Sequence, residues 1–239
     1  MKICVFQERG NMSDKLEMED RVVVNGNLLC DGFHVCEAED AILAVMDGVG
    51  GQMGSAYAAT KVGSTLISAK TDISTEALHG MLCAIHQELY AHTQTATTAT
   101  GLIKSGDVCR IFHAGNTRIY FQINGYICQK TQDQTEGDRL LHTGIAEDQI
   151  PRRYFNILNT CVGIRKEMLD GLVIRDVSEE FRRATRLLLC SDGLHDYVSE
   201  ETLEKYLSEE ISHASMRCLA ETARMAGSND DISIIIAEV

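Results

Sequence analysis

Short apolar runs broken by polar punctuation open the chain. Residues 3–6, Arg21–Val24 and the wholly apolar Ala41–Met46 have the length and residue types of β-strands, and Asn25-Gly26 is a hairpin turn signal. From Met53 to about Thr93 the period lengthens. Leu78, Met81, Leu82, Ile85 and Leu89 recur at i, i+3, i+4 and i+7 behind Ser74, a side chain suited to an N-cap, and Ala59, Val62 and Leu66 repeat the pattern upstream. Two successive helices are expected there.

Strand-like alternation then returns over 98–104, Val108–Ala114, Arg118–Ile123 and 126–130, separated by Ser105-Gly106-Asp107, Gly115-Asn116 and Asn124-Gly125. That is the pattern of an antiparallel meander. Residues 132–185 are polar, lack a steady period and read as loops and short helices. The run 187–190 ends in Ser191-Asp192-Gly193. Two helices follow, one opened by Ser199 with Glu200 and Glu201 in its first turn, the other carrying Met216, Leu219 and Ala223 on one side, and a strand over 232–237 closes the chain. Strands and helices come in blocks and do not alternate one for one, which argues for antiparallel sheets with helices packed outside, an α+β fold. With no repeat, no low-complexity segment and a single proline, Pro151, residues 1–239 read as one domain.

Composition narrows the partners. At 239 residues and 44% hydrophobic, the chain is long enough to bury a substantial core. Lys plus Arg total 22 against 35 Asp plus Glu, a net charge of -13, and no local basic stripe offsets it, so nucleic acid and anionic membrane are excluded as expected partners. The first residues hold too short an apolar stretch for a signal peptide, and no run approaches the ~18 residues of a membrane span, so a cytoplasmic monomer is expected. Nine scattered cysteines without a CxxC pair, several of them (Cys36, Cys109, Cys128, Cys190) inside apolar runs, read as reduced, buried thiols. The eight histidines form no paired metal-ligand pattern, and His79 and His86 read as surface or core residues.

The candidate chemistry lies in the acids. Asp47 follows AILAVM, Asp192 follows RLLLCS, Asp230 and Asp231 precede ISIIIA, and Glu19 and Asp20 precede RVVV. Two of these sites end strands and two begin them, as an antiparallel arrangement needs to gather acids at one edge. Carboxylates clustered at the end of a low-dielectric core repel one another unless a cation compensates, and an all-oxygen set selects hard ions such as Mg²⁺ or Mn²⁺. After Asp47, Gly48 permits a sharp turn that leaves its carbonyl open to an ion, and Gly50 and Gly51 leave room for substrate. A phosphate-cradling P-loop does not fit this stretch, since no lysine precedes Ser55.

Five collinear segments resemble the motifs of the metal-dependent serine/threonine protein phosphatases of the PPM, or type 2C, group in its compact bacterial form. These are KLEMED (15–20), AVMDGVGG (44–51), HAGNTRIY (113–120), LLLCSDGLHDYVS (187–199) and GSNDDISIII (227–236), similar to the family's first acidic motif and to DGxGG, GDSR, SDGLxD and GSxDNxT. The resemblance implies two central antiparallel sheets flanked by helices, an α-β-β-α sandwich. It also implies two Mn²⁺ or Mg²⁺ ions, with Asp47 bridging them, Gly48 offering its carbonyl to one and Asp192 and Asp230 holding the other. Glu19 would act through metal-bound water with Asp20 beside it, Lys15 would meet the substrate phosphate, and a hydroxide bridging the ions would attack phosphorus in line. The implied substrate is a phosphorylated protein, with a cognate Ser/Thr kinase as a further partner.

The departures are specific. Lys15 stands where the family usually has arginine and cannot grip two oxygens with a planar fork. Val49 occupies a position where some members carry histidine. Asn116 replaces the aspartate of GDSR that serves a third, weaker ion, which weakens the case for a third ion here. Asp231 replaces asparagine, and TQDQT (131–135) carries Gln134 in place of the histidine of TxDH. Residues 132–185 correspond to the family's flap, where Arg139, Arg152, Arg153 and Arg165 are candidates to meet substrate. The alternatives are a catalytically weakened relative that binds a phosphoprotein or kinase, and, behind it, a nucleotide-binding regulator.

Overall fold

The computed structural model describes residues 1–11, 17–49, 54–93 and 95–239. The chain runs through β1 (Lys2–Glu8), β2 (Arg21–Val24), β3 (Asn27–Leu29), β4 (Gly32–Glu37) and β5 (Ala41–Met46) to helices α1 (Ser55–Ile67) and α2 (Thr75–His92). There follow β6 (Ala96–Thr97), β7 (Ala99–Ser105), β8 (Val108–Ala114), β9 (Arg118–Ile123), β10 (Tyr126–Gln129), α3 (Glu136–His142), β11 (Val162–Gly163), β12 (Val173–Asp176) and α4 (Ser178–Arg183). The last part holds β13 (Arg186–Cys190), the single turn α5 (Asp192–His195), α6 (Glu200–Ser208), α7 (His213–Met225) and β14 (Ile232–Glu238).

Two six-stranded antiparallel sheets dominate, one in the order β10-β9-β13-β14-β1-β4 and the other β12-β8-β7-β5-β2-β3. The alternation along β5 shows how they stack. Leu43 and Val45 pack with Val22, Ile3, Ile235 and Leu189 in the core between the sheets, whereas Ile42, Ala44 and Met46 point the other way, to Val62, Leu66, Leu78 and Leu82 of α1 and α2. In the facing sheet, Leu188, Cys190, Ile234 and Ile236 meet Leu203, Met216 and Leu219 of α6 and α7. Every central strand is therefore covered on both faces, which is why these runs are continuously apolar. The α-β-β-α sandwich implied by the resemblance is the observed architecture.

Helix starts agree with their sequence signals. Ser74 and Ser199 each accept a backbone N–H of the first turn, and Ser212 with Ser215 forms a reciprocal capping box. The differences lie at the sheet margins. β3 and β4 escape detection because they are edge strands whose residues are largely exposed, so no apolar run marks them. The 132–185 segment holds the expected loops and short helices, but also β11, which pairs with β6, and β12, which extends the second sheet beside β8. All nine cysteines are free, but Cys128 is exposed and Cys36 only half-buried, so the expectation of burial holds for Cys109 and Cys190 and not for these two. His86 is a core residue: its Nδ1 accepts the Gly163 N–H at 3.0 Å and its Nε2 lies 3.0 Å from the Lys166 carbonyl, tying α2 to the flap segment. Among the described residues no helix is long and apolar enough to cross a membrane.

Candidate metal centre

The two sheets meet at one end, and strand register brings the acids there. Pairing of Arg21 with Met46 sets Asp20 beside Asp47, and pairing of Cys190 with Ile234 sets Asp192 beside the residues leading into β14. The Asp47 backbone is pinned on both sides. Its carbonyl accepts the Thr97 hydroxyl at 2.9 Å and the Thr98 N–H at 2.8 Å, and its own N–H donates to Thr98 Oγ1 at 2.9 Å. A Cβ on Gly48 would lie 2.9 Å from Ser55 and 3.0 Å from the Glu19 carbonyl, so close approach of backbone, not a left-handed turn, excludes a side chain there.

Across the gap, Asp192 opens α5, and the buried Asn116 donates from Nδ2 to its Oδ2 at 2.9 Å. Asn116 is itself held, since its carbonyl lies 3.0 Å from Nε2 of the buried His195, whose Nδ1 is 3.1 Å from Asp196 Oδ1. Asp231 is 1% exposed and accepts the Gly10 N–H at 2.7 Å and the Glu19 N–H at 2.6 Å, while its own N–H donates to Asp230 Oδ1 at 2.8 Å. The Ser55 hydroxyl at the start of α1 donates to Glu19 Oε1. Two departures from the family pattern thus have structural work. Asp231 ties the chain carrying Glu19 to the chain carrying Asp230, and Asn116 orients Asp192 by a neutral donor.

Electrostatics mark the cluster. Burial, then the charges of Asp192, Asp20 and Asp230, push the Asp47 carboxyl well above the usual carboxylate range. Burial, then Asp230 and Asp196, raise Asp192. The two carboxyls also act on each other directly, which raises the proton affinity of Asp47 and lowers that of Asp192. Asp20 is pushed up to about 8 by burial and by Asp231, against the hydroxyls of Ser233 and Ser191, and its Oδ2 has no hydrogen-bond partner among the described residues.

Among the described residues no three His, Cys, Asp or Glu side chains already stand in ligand geometry around one point. The donor set nevertheless fits hard divalent cations. The charge of Asp230 acts on both Asp47 and Asp192, that of Asp192 acts on Asp47, and all three carboxyls are only half-buried. A dication among them would let these carboxyls ionise.

The structure therefore gathers Asp47, Asp192 and Asp230, places Asp20 behind them at 1% exposure, and puts Glu19 on the rim. Lys15, Gly50 and Gly51 lie outside the described residues. In TQDQT, Asp133 takes Arg118 through both carboxylate oxygens at 2.7 to 3.1 Å, and Gln134 accepts the Gly115 N–H at 2.8 Å, so this segment braces the loop carrying Asn116. Of the flap arginines, Arg139 is spent on Glu136, Arg153 sits over Tyr154, and Arg152 lines a cavity against α5. His195 and Asp196 carried no signal beyond membership of the SDGLxD-like segment, since nothing in the sequence tells that His195 reaches Asn116.

No family model matches the chain. The curated serine/threonine protein phosphatase PstP of Mycobacterium tuberculosis is 29% identical over 214 residues, which cover 83% of this chain and 40% of that protein, so the match spans less than half of the curated relative's length. The crystal structure of the serine/threonine phosphatase Stp1 from Staphylococcus aureus superposes with a TM-score of 0.80 at 25% identity, covering 99% of this chain and 94% of the other. The catalytic domain of PstP in complex with two manganese ions shares the fold, with a TM-score of 0.72 at 23% identity over 100% of this chain and 99% of that one.

Proposed function

We propose that the chain is a member of the PPM-type bacterial serine/threonine phosphatases and hydrolyses phosphoserine and phosphothreonine in proteins with the help of two divalent cations. The observation that carries the reading is the convergence of Asp47, Asp192 and Asp230 where strand pairing joins the ends of the two sheets, with the proton affinity of Asp47 and Asp192 raised by burial and by neighbouring carboxylates. Residues with no binding role would gain nothing from such an arrangement.

Asp47, the Gly48 carbonyl, Asp192 and Asp230 would hold the ions, and manganese is supported by the neighbour that binds it. Bound dications lower the pKa of water and neutralise charge developing on the phosphoryl oxygens. The chain's own residues supply the frame. Thr97 and Thr98 fix the Asp47 backbone, Asn116 sets the orientation of Asp192, and Asp231 holds the segments bearing Glu19 and Asp230 at constant separation. Glu19, oriented by Ser55, is the rim carboxylate available to accept a proton from water, and Lys15 is the candidate cation for the substrate phosphate.

The test is phosphate release from a phosphopeptide with Mn²⁺, with chelator, and with the Asp192→Asn variant. Turnover should require the metal and fall by about 10²-fold or more in the variant. Turnover that survives chelator, or a wild-type chain that binds Mn²⁺ and releases no phosphate, would reject the hydrolytic reading.

A further inference from the structure

A groove of about 940 Å³ starts where α5 ends and runs under the flap segment. It adjoins the candidate metal centre through His195, which lines it and whose Nε2 lies 3.0 Å from the carbonyl of Asn116, the residue that donates to Asp192. Asp196 faces it, and the Asp196 N–H donates to the Asp192 carbonyl at 3.1 Å. Five carboxyl groups line it, from Asp133, Asp138, Glu147, Asp148 and Asp196, against the guanidinium groups of Arg118 and Arg152. Arg118 is consumed by Asp133 at 2.7 Å and Asp196 Oδ1 lies 3.1 Å from His195 Nδ1, which leaves Asp138, Glu147 and Asp148 facing Arg152. Glu147 and Asp148 are exposed, and neither makes an ion pair with another described residue. Leu141, Ile150 and Phe155 add apolar patches to this otherwise polar lining.

An acid-lined groove with apolar patches between its charges complements a lysine or arginine side chain, whose cationic head meets the carboxylates while its methylene stem packs along the apolar patches. We infer that this groove receives basic side chains flanking the phosphorylated residue of the substrate protein, so that the chain selects phosphosites set in basic sequence. The inference rests on the phosphatase reading for its substrate and adds which phosphoproteins that site accepts. Charge complementarity decides the occupant. An acidic segment would meet an excess of carboxylates over cations, and the chain's net charge of -13 opposes it at longer range as well.

The experiment uses three phosphoserine peptides identical except for arginine, glutamine or glutamate at the two positions on each side of the phosphoserine. With Mn²⁺, kcat/KM should rank arginine over glutamine by about tenfold, the combined effect of a few rim-exposed ion pairs, with glutamate last. The difference should sit mainly in KM and shrink at 0.5 M salt, where the Debye length falls to about 4 Å. In the Glu147→Lys, Asp148→Lys double variant the arginine-to-glutamine ratio should drop to near one. The same peptides are titrated against the Asp192→Asn variant by fluorescence anisotropy, which reads the preference without turnover. Equal Kd and equal kcat/KM across the three peptides, or a preference that persists unchanged in the double variant, would overturn the inference. A chain that releases no phosphate yet binds the arginine peptide best would defeat the hydrolytic reading and uphold the groove.

Discussion

Gly193→Ala tests whether the separation of the two β-ends controls the site. An ideal Cβ at Gly193 would sit 2.0 Å from the Asp231 carbonyl oxygen, 3.0 Å from its carbon and 3.4 Å from Asp230 Cβ. Ordinary contact begins near 3.4 Å, so α5 and the segment before β14 must part by about 1.4 Å, the difference of those two distances. Ser228 donates to the Gly193 carbonyl at 2.7 Å and resists that movement, so the clash cannot be relieved by swinging a flexible side chain away. The cost to folding should be about 1–3 kcal/mol, typical of overpacking. The cost to function should be larger, because the same movement separates Asp192 from Asp230, and an ion site tolerates only about ±0.2 Å in its ligand distances. Mn²⁺ affinity by calorimetry and phosphate release should both fall, the latter by about 10²-fold, as expected for a misplacement near 1 Å. A variant that melts like wild type and binds Mn²⁺ unchanged would refute the claim that close packing at Gly193 sets the ligand spacing.

Three further outcomes follow from the structure. Gly80→Ala, within α2 where a Cβ meets nothing within 4 Å, should raise stability by about 1 kcal/mol in urea unfolding. Arg118→Ala should cost about 3–5 kcal/mol in the same assay, because Asp133, 9% exposed, is left as an unpaired buried charge; a loss below 1 kcal/mol would show that water reaches Asp133. The raised acids set a pH dependence. Asp20, Asp47 and Asp192 have folded proton affinities above their unfolded ones, so their contribution to metal-free stability is complete below about pH 4 and is lost as pH rises through their raised values, for Asp20 about 8. The rise in Tm on adding Mn²⁺ should therefore be greater at pH 8 than at pH 6, as followed by calorimetry, and a gain that is equal or larger at pH 6 would contradict the assignment.

Much of this molecule was legible along the chain because local rules and tertiary context agree. The continuous apolar runs Ala41–Met46 and 187–190 are strands covered on both faces, and Ser74 and Ser199 cap the helices they were expected to open. Acids at strand ends were visible too, since burying a core strand fixes where its last residue emerges. What escaped was set by neighbours distant in sequence. β4 is held by pairing with β1 and not by burial, so its exposed residues left no periodic trace. Asp231, a mere substitution in the string, is a brace whose two acceptor bonds reach Gly10 and Glu19 over more than 200 positions.

The sequence by itself determined most element types, the antiparallel α+β class and the candidate acids, because periodicity and turn chemistry act over a few residues, and the pairing of two sheets came from the motif resemblance. Only the tertiary structure decided which acid lies behind the centre and which at its rim, that Asn116 holds Asp192, and that Glu147, Asp148 and Asp196 share one groove. The reason is that electrostatic and packing relations depend on distance in space, and strand pairing converts sequence separations of tens to hundreds of residues into contacts of a few ångströms.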